Sequence, residues 1–212
     1  MASSPLRLVV PTTENGTVHK PPRHRPNVEL RQREYLTEQE VDRLIAQAGK
    51  NRWRTRDMCM VLLAYRHGLR VSELCALTWD QIEFNGGRLH VTRRKNGTPA
   101  VHPLAGRELR LLRKLQREVE EQSPGSRYVF MSERNAPMSE AGFRKMVART
   151  GVEAGFNFGI HPHALRHSCG FKLANDGQDT RAIQAYLGHK NIAHTVRYTQ
   201  LSSDRFKDFW KD

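Results

Sequence analysis

Polar residues with chemical reach gather in His161-Pro162-His163-Ala164-Leu165-Arg166-His167. After Pro162 the pattern predicts a helix, on which His163 and Arg166 stand three apart and share one face. A guanidinium that keeps its proton, beside an imidazole that can donate one, is suited to gripping a phosphate. Leu187-Gly188-His189 adds a further donor, and Arg197-Tyr198 adds a hydroxyl able to attack phosphorus. Upstream, Gly68-Leu69-Arg70-Val71-Ser72-Glu73-Leu74 supplies a second arginine with a carboxylate three residues on.

Several elements must position these groups. Thr37-Glu38-Gln39-Glu40 is a capping box opening a helix with an apolar stripe at Val41, Leu44, Ile45 and Ala48. Thr55 to His67, apolar nearly all round from Met58 to Tyr65, predicts a central buried helix ended by Gly68. Ser72 is expected to cap a short helix through Leu77, which sets Arg70 in a tight junction between two helices. Ile82 to Phe84 and Arg88 to Arg93 read as strands about the turn Asn85-Gly86-Gly87. Asn96-Gly97 signals a type I′ hairpin leading to a strand through Val101, with Lys95 beside the turn. Arg107 to Glu121 predicts a helix with Leu109, Leu112, Leu115 and Val119 inward and its basic residues outward. Ser139 begins another, with Phe143, Met146 and Val147 toward the core. Residues 155–159 form a loop, and Thr180 to Leu187 is helical, closing at Gly188. Tyr128 to Met131 is an apolar run with no assigned state. Arg205 to Trp210 places Phe206, Phe209 and Trp210 on one face, either against its own domain or against a neighbouring protomer. The fold class is α+β, mainly helical, with a small antiparallel sheet.

At 212 residues the chain can bury one good-sized core. No apolar run approaches the roughly eighteen residues needed to span a bilayer. Met1 to Pro11 lacks a basic stretch followed by an apolar one, so no signal peptide is read. Cys59, Cys75 and Cys169, odd in number and in apolar settings, fit reduced core residues of a cytoplasmic protein.

Thirty-five Lys and Arg against twenty-two Asp and Glu give a net charge of +13. That excess calls for a polyanion, nucleic acid before membrane. It is also local: Arg88 to Arg117 carries nine basic residues and the single acid Glu108. Residues 1–34 read as a disordered or extended basic arm, and 35–212 as the folded domain. His161, His163 and His167 could suggest a zinc cluster, but no Glu stands inside the helical His pair and no cysteine is suitably spaced. His67, His90, His102 and His194 read as satisfied or exposed polar residues.

Arg70, Lys95, His163-Ala164-Leu165-Arg166, His189 and Tyr198 fall in the order and approximate spacing of the tyrosine recombinase (phage integrase) catalytic domain. The chain resembles more closely the short recombinases that invert the type 1 fimbriae promoter. Leu63-Ala64-Tyr65-Arg66-His67-Gly68, Lys95-Asn96-Gly97, Val101-His102-Pro103-Leu104 and His194-Thr195-Val196-Arg197-Tyr198-Thr199 carry that likeness, which runs from about Tyr35 to Trp210.

The resemblance implies that Tyr198 attacks a DNA phosphodiester and forms a 3′-phosphotyrosyl link. Arg70 and Arg166 would hold the non-bridging oxygens, and Lys95 would protonate the leaving 5′ oxygen, with Arg93 and Arg94 its rivals. His163 would take the tyrosine proton or donate to the phosphate, His189 would add a hydrogen bond, and Glu73 would orient Arg70 or His163. Arg93, Arg94, Arg107, Arg110 and Lys114 are expected to track the DNA backbone. No metal or nucleotide cofactor is required, since cationic side chains neutralise the phosphate and nothing is hydrolysed. The implied partners are double-stranded DNA with inverted-repeat sites, a homo-tetramer on two sites, and DNA-bending accessory proteins, with no membrane. The expected location is the cytoplasm, on the nucleoid. Larger recombinases carry a separate helical DNA-clamping domain ahead of this one, and residues 1–34 are too few to form it. A non-cleaving DNA-binding regulator and a type IB topoisomerase remain as alternatives. The target sequence is not legible.

Overall fold

The computed structural model describes residues 34–93 and 98–200. The basic arm before Glu34, Arg94 and Lys95 with their Asn96-Gly97 turn, and the segment Arg205 to Trp210 lie outside the described residues.

Thr37 opens α1 (Glu38–Ala48) by the expected reciprocal cap, the Thr37 N–H donating to the Glu40 carboxylate at 2.8 Å. Its buried stripe is Val41, Leu44, Ile45 and Ala48, which packs on α2 (Arg54–Arg66). Helix α2 has no polar face: everything from Cys59 to Ala64 is buried, so it forms the centre of the fold rather than its surface. Even Asp57 is enclosed, with Arg56 donating to it at 2.9 Å and Asn51 at 2.9 Å.

Gly68 then reverses the chain with φ +54, and a Cβ there would lie 2.4 Å from Leu187 Cδ2. Glycine therefore serves the turn and also lets the end of α2 touch a later helix. The following α3 (Val71–Cys75) starts at Arg70, not at Ser72 as the sequence suggests. Glu73 explains the difference: its carboxylate accepts the Arg70 N–H at 3.0 Å, and Ser72 falls inside the first turn.

Three short antiparallel strands follow in the order β1 (Ile82–Glu83), β2 (Arg88–Val91), β3 (Ala100–Pro103). Leu89 pairs with Ile82 on one side and His102 on the other, and all three are buried. Helix α4 (Gly106–Gln122) turns Leu112, Leu115 and Val119 inward and its arginines outward, while Leu109 is only partly covered. Tyr128 to Met131 resolves into irregular chain held by isolated bridges, Thr78 to Tyr128 and Met131 to Pro137. Ser139 caps α5 (Glu140–Glu153), accepting the Gly142 N–H at 3.0 Å.

The last three helices are α6 (Pro162–Asn175), α7 (Thr180–Leu187) and α8 (Ala193–Gln200). They enclose a second, smaller apolar cluster of Cys169, Phe171, Ala174, Ile183, Leu187 and Tyr198. Among the described residues, no helix is long and apolar enough to cross a membrane.

Candidate active site

The site is built around the end of α7. That helix stops at Gly188, in the left-handed region with φ 64 and ψ 45. The amides of Gly188 and His189 fold back to the carbonyls of Ala185 and Gln184, at 3.1 and 3.0 Å. The next three carbonyls lack helical donors, and each meets a guanidinium from a different element. Arg93 donates to Tyr186 O, Arg166 to Leu187 O at 2.7 Å, and Arg70 to Gly188 O at 3.4 Å. Cations at a helix C-terminus are also favoured by its dipole.

Arg166 comes from α6, whose start is set by Pro162 and by His161, whose Nδ1 accepts the Ala164 N–H at 3.2 Å. It is 1% exposed and also donates to the carbonyl of Gly68, so it ties the ends of α2 and α7 together. Burial, with Arg70 and Arg93 nearby, pushes its pKa down to about 10, which leaves it charged at neutral pH. Arg70 is the half-buried member, the most accessible of the three. Its Nη1 donates to Glu73 Oε1 at 2.7 Å, and it forms the wall shared by two open clefts. One cleft continues past His189, Lys190 and Arg181. The other runs past His163, His161 and Arg144. Glu73 is buried beneath, where burial raises its carboxyl pKa; the Arg70 N–H and the Arg93 guanidinium outweigh that and hold it below the ordinary range.

His163 is exposed on α6, and its ring stands edge-on to His167 with centroids 4.3 Å apart. Partial desolvation where the ring lies on α6, and then Arg166, lower its pKa. His189 turns Nδ1 toward Thr195 Oγ1 at 2.9 Å and stacks at 6.2 Å on the ring of Tyr198. Burial, then Arg166 and Arg70, push His189 down to about 3, so it is a neutral imidazole at physiological pH.

Tyr198, on α8, is 1% exposed. Its hydroxyl lies 2.8 Å from His167 Nδ1, and its ring meets Phe171 edge-to-face at 5.1 Å. Burial raises its pKa in spite of Arg166 and Arg197. The phenol thus points into the fold, and its partner is His167, one turn beyond the His163 that the sequence suggests.

Arg70, Glu73, His163, Arg166, His189 and Tyr198 therefore converge on the meeting point of α2, α6, α7 and α8. Arg93 is placed differently from its expectation as a backbone-tracking residue: its side chain is 0% exposed and it donates to Glu73 Oε2 at 2.8 Å. Arg107, Arg110 and Lys114 are exposed on α4 and line neither cleft; Arg107 bonds Asp42 at 3.1 Å and Lys114 approaches Glu118 at 3.8 Å. Lys95 and Arg94 lie outside the described residues. Among the described residues no group of three or more His, Cys, Asp or Glu side chains is placed to hold a metal ion.

Beneath the arginines runs a buried network that the sequence reading does not single out. His67 Nε2 meets Glu108 Oε1 at 2.7 Å, and its Nδ1 lies 3.2 Å from His102 Nδ1. His102 stacks on Tyr186 at 3.8 Å, and the Tyr186 hydroxyl donates to the Arg66 carbonyl at 2.9 Å. The network holds the chain just before Gly68 and at Tyr186, and the carbonyls of Gly68 and Tyr186 receive two of the arginines.

A sequence model of the phage integrase family matches residues 34–205. The type 1 fimbriae regulatory protein FimE of Escherichia coli is 40% identical over 184 residues, covering 86% of this chain and 93% of that protein. FimB of Escherichia coli, also a type 1 fimbriae regulatory protein, is 39% identical over 181 residues, 85% of this chain and 90% of its own. The crystal structure of XerA recombinase shares 27% identity with a TM-score of 0.73, over 82% of this chain. This chain spans 63% of that structure's length.

Proposed function

This chain is a tyrosine recombinase of the phage integrase family, and from that premise we propose that it cuts and rejoins DNA at specific sites through Tyr198. The observation that carries the reading is the convergence of Arg70, Arg166, His163 and His189 on the ends of α2 and α7, with Tyr198 packed against the same helices. In the proposed step the Tyr198 oxygen attacks phosphorus, the bond to the 5′ oxygen breaks, and a 3′-phosphotyrosyl link conserves the bond for rejoining. Arg70 and Arg166 neutralise the non-bridging oxygens as charge builds on them. Lys95 gives its proton to the leaving 5′ oxygen. His163 takes the Tyr198 proton as the P–O bond forms, or donates to the phosphate, and His189 adds a hydrogen bond from the other cleft. Glu73 orients Arg70. Arg94, Arg107, Arg110 and Lys114 contact the DNA backbone outside the cleavage site, whereas Arg93, enclosed as it is, does not.

Tyr198 is 1% exposed, so attack requires α8 to shift off α6. Four active sites are needed to cut two duplexes, and we read the working assembly as a homo-tetramer on two inverted-repeat sites, with DNA-bending proteins bringing the sites together. The fimbrial regulators among its relatives favour inversion of a promoter segment over integration, in the cytoplasm on the nucleoid. A nicked duplex built on inverted repeats beside the coding region tests this. The wild-type chain should become covalently attached, and Tyr198→Phe should bind the duplex without attachment. A wild-type chain that binds and never attaches would be a regulator. Attachment and relaxation without pairing of two sites would indicate a topoisomerase.

A further inference from the structure

Arg93, like Arg166, is an enclosed member of the α7 clamp. Its side chain is 0% exposed, and it donates at one end to Glu73 Oε2 at 2.8 Å and at the other to the carbonyl of Tyr186. Among the described residues its Nε has no partner, and a Cβ on Gly188 would come within 2.8 Å of that atom, so glycine and arginine are fitted to one another. A buried cation with an unsatisfied donor costs stability.

Two dependences are visible. Glu73 bonds Arg70 as well, through Oε1 at 2.7 Å and the Arg70 N–H at 3.0 Å. Alone, that carboxylate would cancel the charge of Arg70. With Arg93 on its other oxygen, Arg70, Arg93 and Arg166 stand against Glu73 and leave two net positive charges, where a site without Arg93 would keep one. The second dependence is mechanical: the Tyr186 carbonyl is three residues before His189, so Arg93 pins the turn that presents His189 to its cleft.

We propose that Arg93 is a positioning residue for strand cleavage, compensating Glu73 so that Arg70 keeps its charge for the phosphate and holding the α7 turn that carries His189. This rests on the recombinase reading above. It separates Arg93 from Arg94 and Lys95, its neighbours in a run of three basic residues.

The test uses the full chain, with circular dichroism confirming the fold of each variant. On the Tyr198→Phe background, which allows binding without cleavage, Arg93→Gln should leave the slope of log affinity against log salt unchanged. Loss of a phosphate contact would reduce that slope by about 0.9 and overturn the proposal. With Tyr198 intact, Arg93→Gln should slow cleavage of the nicked duplex at saturating DNA by about 10- to 100-fold, the range over which orienting partners act. Pairing it with Glu73→Gln, which removes the uncompensated carboxylate yet keeps an acceptor for Arg70, should restore most of that loss. A double variant no faster than Arg93→Gln alone, or a single variant as fast as wild type, would overturn it. Failure of the wild-type chain to attach would instead overturn the recombinase reading, and the salt slope would still judge Arg93.

Discussion

The Tyr198 hydroxyl sits 2.8 Å from Nδ1 of His167, inside a cluster that leaves the tyrosine 1% exposed. Burial, and after it His163, push His167 down to about 3, so its ring is neutral and able to accept the phenol proton in a hydrogen bond. Burial likewise raises the phenol pKa. Both shifts keep the pair uncharged, which suits a resting position better than an attacking one. On the proposed function, attack by Tyr198 needs a displacement of α8, and what holds α8 down then bears on activity as much as the groups proposed to hold the phosphate.

Gly170 is part of that hold. A Cβ at this position would lie 2.6 Å from Tyr198 Cε2, so the ring occupies a slot that only glycine leaves open. In an unobstructed helix interior Gly170→Ala would stabilise by up to about 1 kcal/mol. Here overpacking should reverse the sign and destabilise by about 1–3 kcal/mol. Hydrogen exchange of the amides of residues 193–200 should accelerate without DNA. Increased thermal stability with unchanged exchange would show that the ring does not depend on this slot.

Much of this arrangement was legible in sequence. The capping box at Thr37 and the apolar helix ending at Gly68 carry local signals, and the arginines, histidines and tyrosine carry chemical ones. Two buried polar residues carry signals in the sequence. Arg93 follows Leu89 and Val91 at strand period, and the inward parity of those residues extends to it even though its basic neighbours suggest a surface. Glu108 stands four residues before Leu112 on the inward stripe of α4, where a lone acid implies a buried partner. The pairing of Tyr198 with His167 was not legible, because it joins two helices 31 residues apart and depends on how α8 lies on α6.

Acid should weaken the fold well before carboxylates titrate. His102 and His167, both buried, have folded pKa values near 3 against an ordinary 6.5, His102 through burial and then His67 and Arg93. The unfolded chain therefore binds protons that the folded chain refuses, and stability falls as pH drops from about 6.5 toward 3. Each buried neutral ring contributes a slope of up to about 1.4 kcal/mol per pH unit in that window. Urea midpoints at pH 7.5, 6.5, 5.5 and 4.5 check this. A flat profile above pH 5 would mean that these rings accept protons without unfolding.

The His67–Glu108 contact predicts unequal effects for removing the Glu108 carboxylate and for removing its half-exposed partner Arg66. Glu108→Ala leaves the buried His67 Nε2 without its acceptor, and should destabilise by about 3–5 kcal/mol, as breaking a buried pair does. Arg66→Ala removes the other partner, which is 37% exposed and screened by water, and should change stability by about 1 kcal/mol or less. Equal losses in urea unfolding would place the main interaction on Arg66.

Arg166 separates charge from geometry. Its guanidinium spans the carbonyls of Gly68 and Leu187, the latter at 2.7 Å, and so joins the ends of α2 and α7 with one planar group. Arg166→Lys keeps the positive charge, but a compact ammonium on a flexible stem does not reproduce that fork. One buried carbonyl is then unsatisfied, at about 1–3 kcal/mol of stability. DNA affinity should stay within a few-fold of wild type, because the residue is 1% exposed and the net charge is unchanged. Cleavage at saturating DNA should fall by about 10²–10³, the loss expected for one preorganised donor at a developing charge. Single-turnover attachment to the nicked duplex measures it, and a lysine variant that cleaves at nearly the wild-type rate would mean that positive charge alone, without the two-carbonyl brace, is what the site requires of this position.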